Sequence, residues 1–537
     1  MPLPILSIIL ILCLSTAGII GLIPARDRPQ KAVADLCHWI SLGSSLLILL
    51  LVSWIYFRGF DPSQPGLQFV ESHNWYGDKI FFKLGIDGLS LSMIALQALL
   101  MPLVILASQP IAFERDPKLY YSLFFLLTAA VFGVFMAQDL MLFFVSWELE
   151  LLPMYLLIAR WGGQKRVQAA NKFLLFTFLG GLFILAGILT LYLLSGEVTF
   201  AMPELGAIVR ALQFQGALQS HLWLVHLAFI LCAIGFCIKL PSIPVHTWLP
   251  EAHVEAPTPI SMLLAGILLK MGAYGLIRFG LEFFPKSVEF FAIPLAVLGG
   301  LNILAAAIFA LVQNDIKRVI AYSSISHMGF VLLGLASLNA IGLNGAIFQM
   351  FSHGLVSAGL FMVIGVIYER AHTREISQFS GLAQNMPYLF FLFLGLAMAN
   401  LGLPALSGFI GESLVFYGIF GDLATSFNVK LAAGISTIGI IITAGYMLWL
   451  GRRLFFGEPL AKWSALTDIR PSEGVVLFSL LLFSLVLGSY PKSLNHTLAP
   501  NSENLIANLK PSTTPINNLL PDELSIYPLM SPKELMY

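Results

Sequence analysis

The chain has 537 residues, 58% of them hydrophobic and 11% charged, with a mean hydropathy of +0.85. A soluble domain carries about 25% charged residues, so the composition excludes a soluble globule and predicts an all-α polytopic membrane protein. The 29 basic and 29 acidic residues cancel, which removes any electrostatic case for binding nucleic acid. Cys13, Cys37, Cys232 and Cys237 fall in apolar runs. The last two stand five apart, unlike a metal or redox pair, and read as small core residues. No haem, iron–sulfur, Walker or dinucleotide motif occurs, so no cofactor is expected in this chain.

Apolar windows of about 20 residues suit the hydrocarbon thickness of a bilayer. Fourteen follow in chain order: 4–23, 36–57, 89–108, 118–136, 140–160, 171–195, 222–243, 258–280, 288–312, 318–337, 342–368, 388–418, 429–450 and 474–490. The first lacks a basic stretch ahead of it and reads as a span rather than a cleaved signal. The twelfth is interrupted at Gly402–Leu403–Pro404 and Ser407–Gly408. Segment 196–220 is too polar to cross and is expected in the interface. Residues after Pro491 are polar and rich in Pro, Asn and Ser, which predicts a surface extension.

Loops after odd-numbered spans hold seventeen Lys and Arg, from Arg26, Arg28 and Lys31 through to Arg452, Arg453, Lys462 and Arg470. Loops after even-numbered spans, with the tail and its Lys533, hold ten. The positive-inside rule places the odd loops in the cytoplasm and both termini on the opposite face.

Lys239 lies near the end of the apolar run Leu222–Leu240, with Pro241 two residues on. An ammonium near the centre of a membrane helix costs roughly 2.5–3.5 kcal/mol. A proline there frees backbone groups that must find new partners. Together they predict a broken helix with an ionisable group at the break, although a lysine snorkelling from a helix end would also fit. Five further ionisable residues lie deep within spans: Glu148 (FVSWELELLP), Lys270 (AGILLKMGAYG), His327 (SSISHMGF), His353 (QMFSHGLVS) and Glu412 (LPALSGFIGE). Any one alone fits a hydrogen-bonded structural group. Six on separate helices point instead to a proton relay, since buried acids and bases titrate nearer neutral pH and histidine shuttles protons. Glu148 is expected opposite Lys239. Glu150 stands two residues on, about 200° around an ideal helix, and is expected to face a neighbouring subunit or the headgroups.

The break at Lys239–Leu240–Pro241, continuing through Pro244, and the break at Pro404 to Gly408 lie five spans apart, so they run in opposite directions. This predicts an inverted repeat, spans 4–8 against 9–13. The expected units are 1–117 (spans 1–3), 118–280 (first repeat), 288–450 (second repeat), 451–490 (span 14) and a polar tail, 491–537.

The runs WELELLPMYLLIARWGG, IKLPSIPVHTWLPEAH, SMLLAGILLKMGAYGLIRF, DIKRVIAYSSISHMGF and QMFSHGL resemble the antiporter-like membrane subunits of respiratory complex I, relatives of the Mrp sodium/proton antiporters. The resemblance spans roughly residues 80–455. WELEL, with Glu412 where two sister subunits carry lysine, is similar to the chain 4 (M-type) branch, including its photosynthetic NDH-1 form in cyanobacteria and plastids. HVEAPTPIS, with His253 and Glu255, departs from the HGEA form of the commonest photosynthetic branch. It resembles the variants of carbon dioxide uptake complexes.

The resemblance implies fourteen helices, two inverted five-helix repeats and a proton half-channel in each. Glu148 and Lys239 would be the input pair, Lys270, His327 and His353 the central relay, and Glu412 the exit group. It also implies a thylakoid membrane with lumenal termini, and partner subunits, above all antiporter-like chains 2 and 5. Those partners would carry the iron–sulfur clusters, the electron donor site and plastoquinone. A cation/proton antiporter subunit of the Mrp type is the competing reading and predicts sodium or potassium flux without quinone. An inert scaffold predicts that Lys239→Ala leaves pumping intact.

Overall fold

The computed structural model describes residues 4–24, 29–64, 66–214 and 222–510. Arg26, Arg28 and Lys533 of the loop charge count, part of segment 196–220 and the tail from 511 lie outside the described residues. The chain opens with α1 (Ile5–Leu22) and α2 (Gln30–Trp54), which ends in a π-helical turn, Ile55–Gly59. An antiparallel hairpin of β1 (Gln68–Tyr76) and β2 (Ile80–Ile86) follows. Then come α3 (Gly88–Glu114) and α4 (Pro117–Met136). The fifth expected span is two helices, α5 (Leu140–Leu149) and α6 (Leu151–Trp161). Its ladder lapses at Glu150 because Pro153 has no N–H to give the carbonyl four residues back.

Next are α7 (Arg166–Leu194), the short α8 (Met202–Phe214) and α9 (Leu222–Lys239). Helix α8 is too short to span, and Arg210 ties it to the carbonyl of Glu282 at 2.7 Å. After the break the chain resumes as α10 (Trp248–Glu255). The eighth span is α11 (Thr258–Leu263), a π-helical turn (Leu264–Leu268) and α12 (Leu269–Phe283). A short α13 (Pro285–Phe290) leads into α14 (Ala292–Leu311), α15 (Ile316–Ala336) and α16 (Ala340–Ala371). A single turn, α17 (Leu382–Asn385), precedes α18 (Pro387–Asn400) and α19 (Ser407–Gly421), the two halves of the twelfth span. The last long helices are α20 (Phe427–Phe455) and α21 (Pro471–Ser489), followed by α22 (Lys492–Ala507).

Among the described residues thirteen helices are long and apolar enough to cross a bilayer. The one expected span outside this count is the twelfth, formed by α18 with α19, neither long enough alone. Two of the spans that carry buried ionisable groups are enclosed: α11–α12 and α16 are buried along their whole apolar windows, whereas only about a third of α20 is. Helix α20 faces lipid with Ile435, Ile438 and Ile441 exposed.

The expectation of a surface extension after Pro491 fails for 492–507. Leu494, Leu498 and Leu505 share one face of α22 and are buried against α3 and α16. The composition is polar, but the leucine spacing is that of an amphipathic helix. Asp87 anchors this docking. It caps α3 through Ser90 N–H (2.9 Å), accepts from Asn501 of α22 (3.0 Å) and pairs with Arg278 of α12 at 2.7 Å. Burial pushes its carboxyl up, but the Arg278 guanidinium and these hydrogen bonds outweigh burial and hold it at about 2.

Candidate functional site

Two broken helices deliver charged groups to the interior. At the first break, Leu240 N–H donates to Phe236 O and Ser242 N–H to Cys237 O, both at 2.8 Å. Trp248 Nε1 reaches back to Ile238 O and Ile243 N–H donates to Asn302 Oδ1, again at 2.8 Å. These bonds give backbone groups freed at the first break new partners, as a bilayer interior requires.

Lys239 sits on this break, 1% exposed, and its ammonium pairs directly with Glu150 Oε1. Trp147 and Phe173 flank it, their ring centroids 5.6 and 5.5 Å from Nζ. The expectation that Glu150 faces a neighbour or the headgroups is overturned: its side chain is 0% exposed. Glu150 keeps helical backbone angles (φ −70°, ψ −22°) and points to a different side from Glu148, but that side is packed within the chain instead of facing a neighbour. Glu148 is half-buried and turned toward α7, where a Cβ on Gly181 would fall 1.7 Å from its Oε1. That oxygen has no hydrogen-bond partner among the described residues. Two carboxylates thus flank the Lys239 region, one in contact and one without a partner.

The second cluster begins at Lys270, placed just after the π-helical turn of the eighth span. A π turn displaces the regular carbonyl ladder, and the Lys270 ammonium takes the Ala265 carbonyl inside it. The same Nζ lies 2.7 Å from His353 Nδ1 on α16. The His353 and His327 rings are 5.7 Å apart, centre to centre. Both have a buried Nε2 without a partner among the described residues. His327 Nδ1 then lies 3.3 Å from Glu412 Oε1 on α19.

Glu412 closes the string at the second break. Its Oε2 faces Gly402, whose positive φ of 70° belongs to the chain reversal, and a Cβ there would come within 2.9 Å of the oxygen. Ser407, at the start of α19, is tied to α16 by Ser352 (2.7 Å) and to α21 by Ser484 (2.8 Å). Four of the six sequence-chosen residues therefore form one line across α12, α16, α15 and α19. Lys239 is in direct contact with a residue outside the six, and Glu148 lies near enough to interact with its charge without touching it. The two clusters meet through packing: a Cβ on Gly272, two residues past Lys270, would lie 2.6 Å from Leu240 N.

Sequence reasoning passed over three groups. Glu150 is one, and the Pro153 spacing was its available signal. Gln349 is buried beside His327, Nε2 to Nδ1 3.2 Å, and an amide in a span carried no charge to draw notice. His253 is fully buried and stacked on Phe361 at 4.4 Å, with neither ring nitrogen bonded among the described residues. It had been singled out only as a motif departure.

The chain matches two family models. One, described as NADH:quinone oxidoreductase/Mrp antiporter, covers residues 137–443. The other, NADH-ubiquinone oxidoreductase chain 4, amino terminus, covers 39–137. A relative from Synechococcus elongatus, named NAD(P)H-quinone oxidoreductase chain 4 1, is 45% identical over 91% of this chain and 89% of its own length. NADH-quinone oxidoreductase subunit M of Rhodobacter capsulatus is 40% identical over 94% of this chain and 96% of that one. A chain of respiratory complex I from Thermus thermophilus with bound NADH superposes with a TM-score of 0.82 at 28% identity, over 94% of this chain and all of that one. A chain of the Mrp complex from Dietzia sp. shares the fold, with a TM-score of 0.77 at 22% identity. With these matches running through both broken helices and every span of the Lys270–Glu412 string, the chain belongs to the NADH:quinone oxidoreductase/Mrp antiporter family, in its chain 4 branch.

Proposed function

We propose that this chain is the proton-translocating membrane subunit of an NDH-1 complex that couples plastoquinone reduction to proton pumping. The observation that carries the reading is the buried string Lys270–His353–His327–Glu412, which begins at a π-helical turn and ends at a broken helix. Each member can hold or release a proton, and successive members lie on different helices, so small helix shifts open or close a link. Glu150 stabilises the Lys239 charge while in contact. Breaking that contact destabilises the ammonium and favours release of its proton toward Lys270. Glu148, unpartnered beside α7, is the second acid of this input region. Glu412 passes the proton on at the second break.

The chain carries no redox motif, so the driving force comes from partner subunits, which hold the iron–sulfur clusters, the electron donor and plastoquinone. Antiporter-like chains 2 and 5 are the neighbours this reading expects, and the thylakoid its membrane, with both termini in the lumen. The packing supports two inverted repeats, 118–280 and 288–450: α7 packs on both arms of the first broken helix, α9 and α10, as α16 packs on both arms of the second, α18 and α19. The Mrp-type alternative draws on the shared fold and family model. The chain 4 amino-terminal match and the identity to chain 4 relatives favour the quinone-linked reading.

The test uses the purified intact complex in sealed vesicles, measuring quinone reduction and proton uptake together. Lys239→Ala and Glu148→Gln are expected to assemble and to lose proton uptake. Wild-type pumping in both variants, or quinone-independent sodium flux in the parent complex, would refute the reading.

A further inference from the structure

One polar side chain in the second cluster has no role in the string just described. Gln349 lies on α16 one turn before His353 and is 1% exposed. Its Nε2 is 3.2 Å from His327 Nδ1, the same nitrogen that faces Glu412 Oε1 at 3.3 Å. Its Oε1 has no hydrogen-bond partner among the described residues and is aimed at Gly411, where a Cβ would come within 2.4 Å of it. The amide is thus wedged between the histidine and the turn of α19 that carries Glu412.

One imidazole nitrogen cannot serve both neighbours in one state. With a lone pair, Nδ1 accepts from the Gln349 amide; with a proton, it donates to the Glu412 carboxylate. The two contacts are alternatives, set by whether His327 has delivered its proton. We propose that Gln349 is a positioning residue that holds His327 in its discharged form and so gives the transfer to Glu412 its direction. This rests on the reading of the chain as a proton translocator.

The step balances. The imidazolium of His327 passes its Nδ1 proton to the Glu412 carboxylate, leaving a carboxylic acid and a neutral ring protonated on Nε2. The exposed Nδ1 lone pair is then taken by the Gln349 N–H, which opposes return of the proton. Reloading requires the ring to turn so that an N–H again points at the carboxylate, and that motion breaks the Gln349 bond.

The experiment compares Gln349→Met, similar in length but unable to hydrogen-bond, with Gln349→Glu, whose neutral carboxyl can donate to the same nitrogen. Both are measured in the intact complex in vesicles for protons moved per electron and for the solvent deuterium effect on proton uptake. Gln349→Met is expected to assemble, reduce quinone and lose about fivefold in proton delivery, the scale of one lost hydrogen bond between neutral groups. Its solvent isotope effect should rise as the His327 step becomes limiting. Gln349→Glu should recover most of the delivery. Wild-type pumping in Gln349→Met would overturn the proposal. So would equal loss in both variants with an unchanged isotope effect, which would mark a packing role. Glu412→Gln runs alongside: if it pumps normally the translocation reading itself fails, whereas if it fails to pump while Gln349→Met pumps normally, only the Gln349 role is lost.

Discussion

Replacing Glu150 by glutamine keeps the shape of the side chain and removes the charge in contact with Lys239. Lys239 is 1% exposed and Glu150 0%, so the contact lies out of reach of bulk solvent. Removing one partner of a buried pair costs about 3–5 kcal/mol, because the other charge is left uncompensated. The aromatic faces of Trp147 and Phe173, at 5.6 and 5.5 Å, are there with or without Glu150 and so do not offset the loss. A penalty of about 3–5 kcal/mol on the ammonium, at about 1.4 kcal/mol per decade, lowers the charged population of Lys239 by about two orders of magnitude or more. The expected result is an assembled complex that reduces quinone while proton uptake falls at least tenfold. Blue native gels report assembly, and a pH-sensitive dye in sealed vesicles reports uptake per electron. Glu150→Gln with wild-type uptake would refute the assignment of Glu150 as the counterion. Collapse of uptake in Glu148→Gln alone would then return that role to Glu148.

Lys270→Arg keeps the charge but cannot give up its proton; uptake is expected to stop while assembly persists, and full retention would make Lys270 a structural cation. Gly181→Ala places a methyl 1.7 Å from the present position of Glu148 Oε1, so the carboxylate must swing away from α7; proton uptake should fall with unchanged quinone affinity, and an unaffected rate would remove Glu148 from the input region. Asp87 titrates at about 2 in the folded chain against a reference of 3.8. Its depressed value contributes stability that is present above pH 4 and lost as the pH falls through about 2. That contribution is about 2 kcal/mol. Hydrogen exchange of α22 should show protection lost over this window in the parent chain and no such step in Asp87→Asn; identical profiles would refute the latch.

The order of the spans, the two breaks and the six ionisable residues within spans were legible in the residues themselves. Each rests on a local property: a run of apolar residues long enough for a bilayer, a proline without an N–H, a charge where lipid tolerates none. The tertiary structure decided which charge meets which. Glu150 and Lys239 are 89 positions apart and Lys270 and His353 are 83 apart, and no periodicity along one helix specifies the rotation of another against it. Helix rotation separates Glu150 from Glu148, but only packing shows that the side it faces holds Lys239 and not a neighbouring subunit. The docking of α22 followed the same logic. Its leucine spacing was present in the chain, but only Asp87 and Arg278, brought together from α3 and α12, show why Asn501 is buried there. Sequence names the groups able to carry a proton, and packing fixes their order, because hydrogen-bond reach is about 3 Å and only the fold sets distances on that scale.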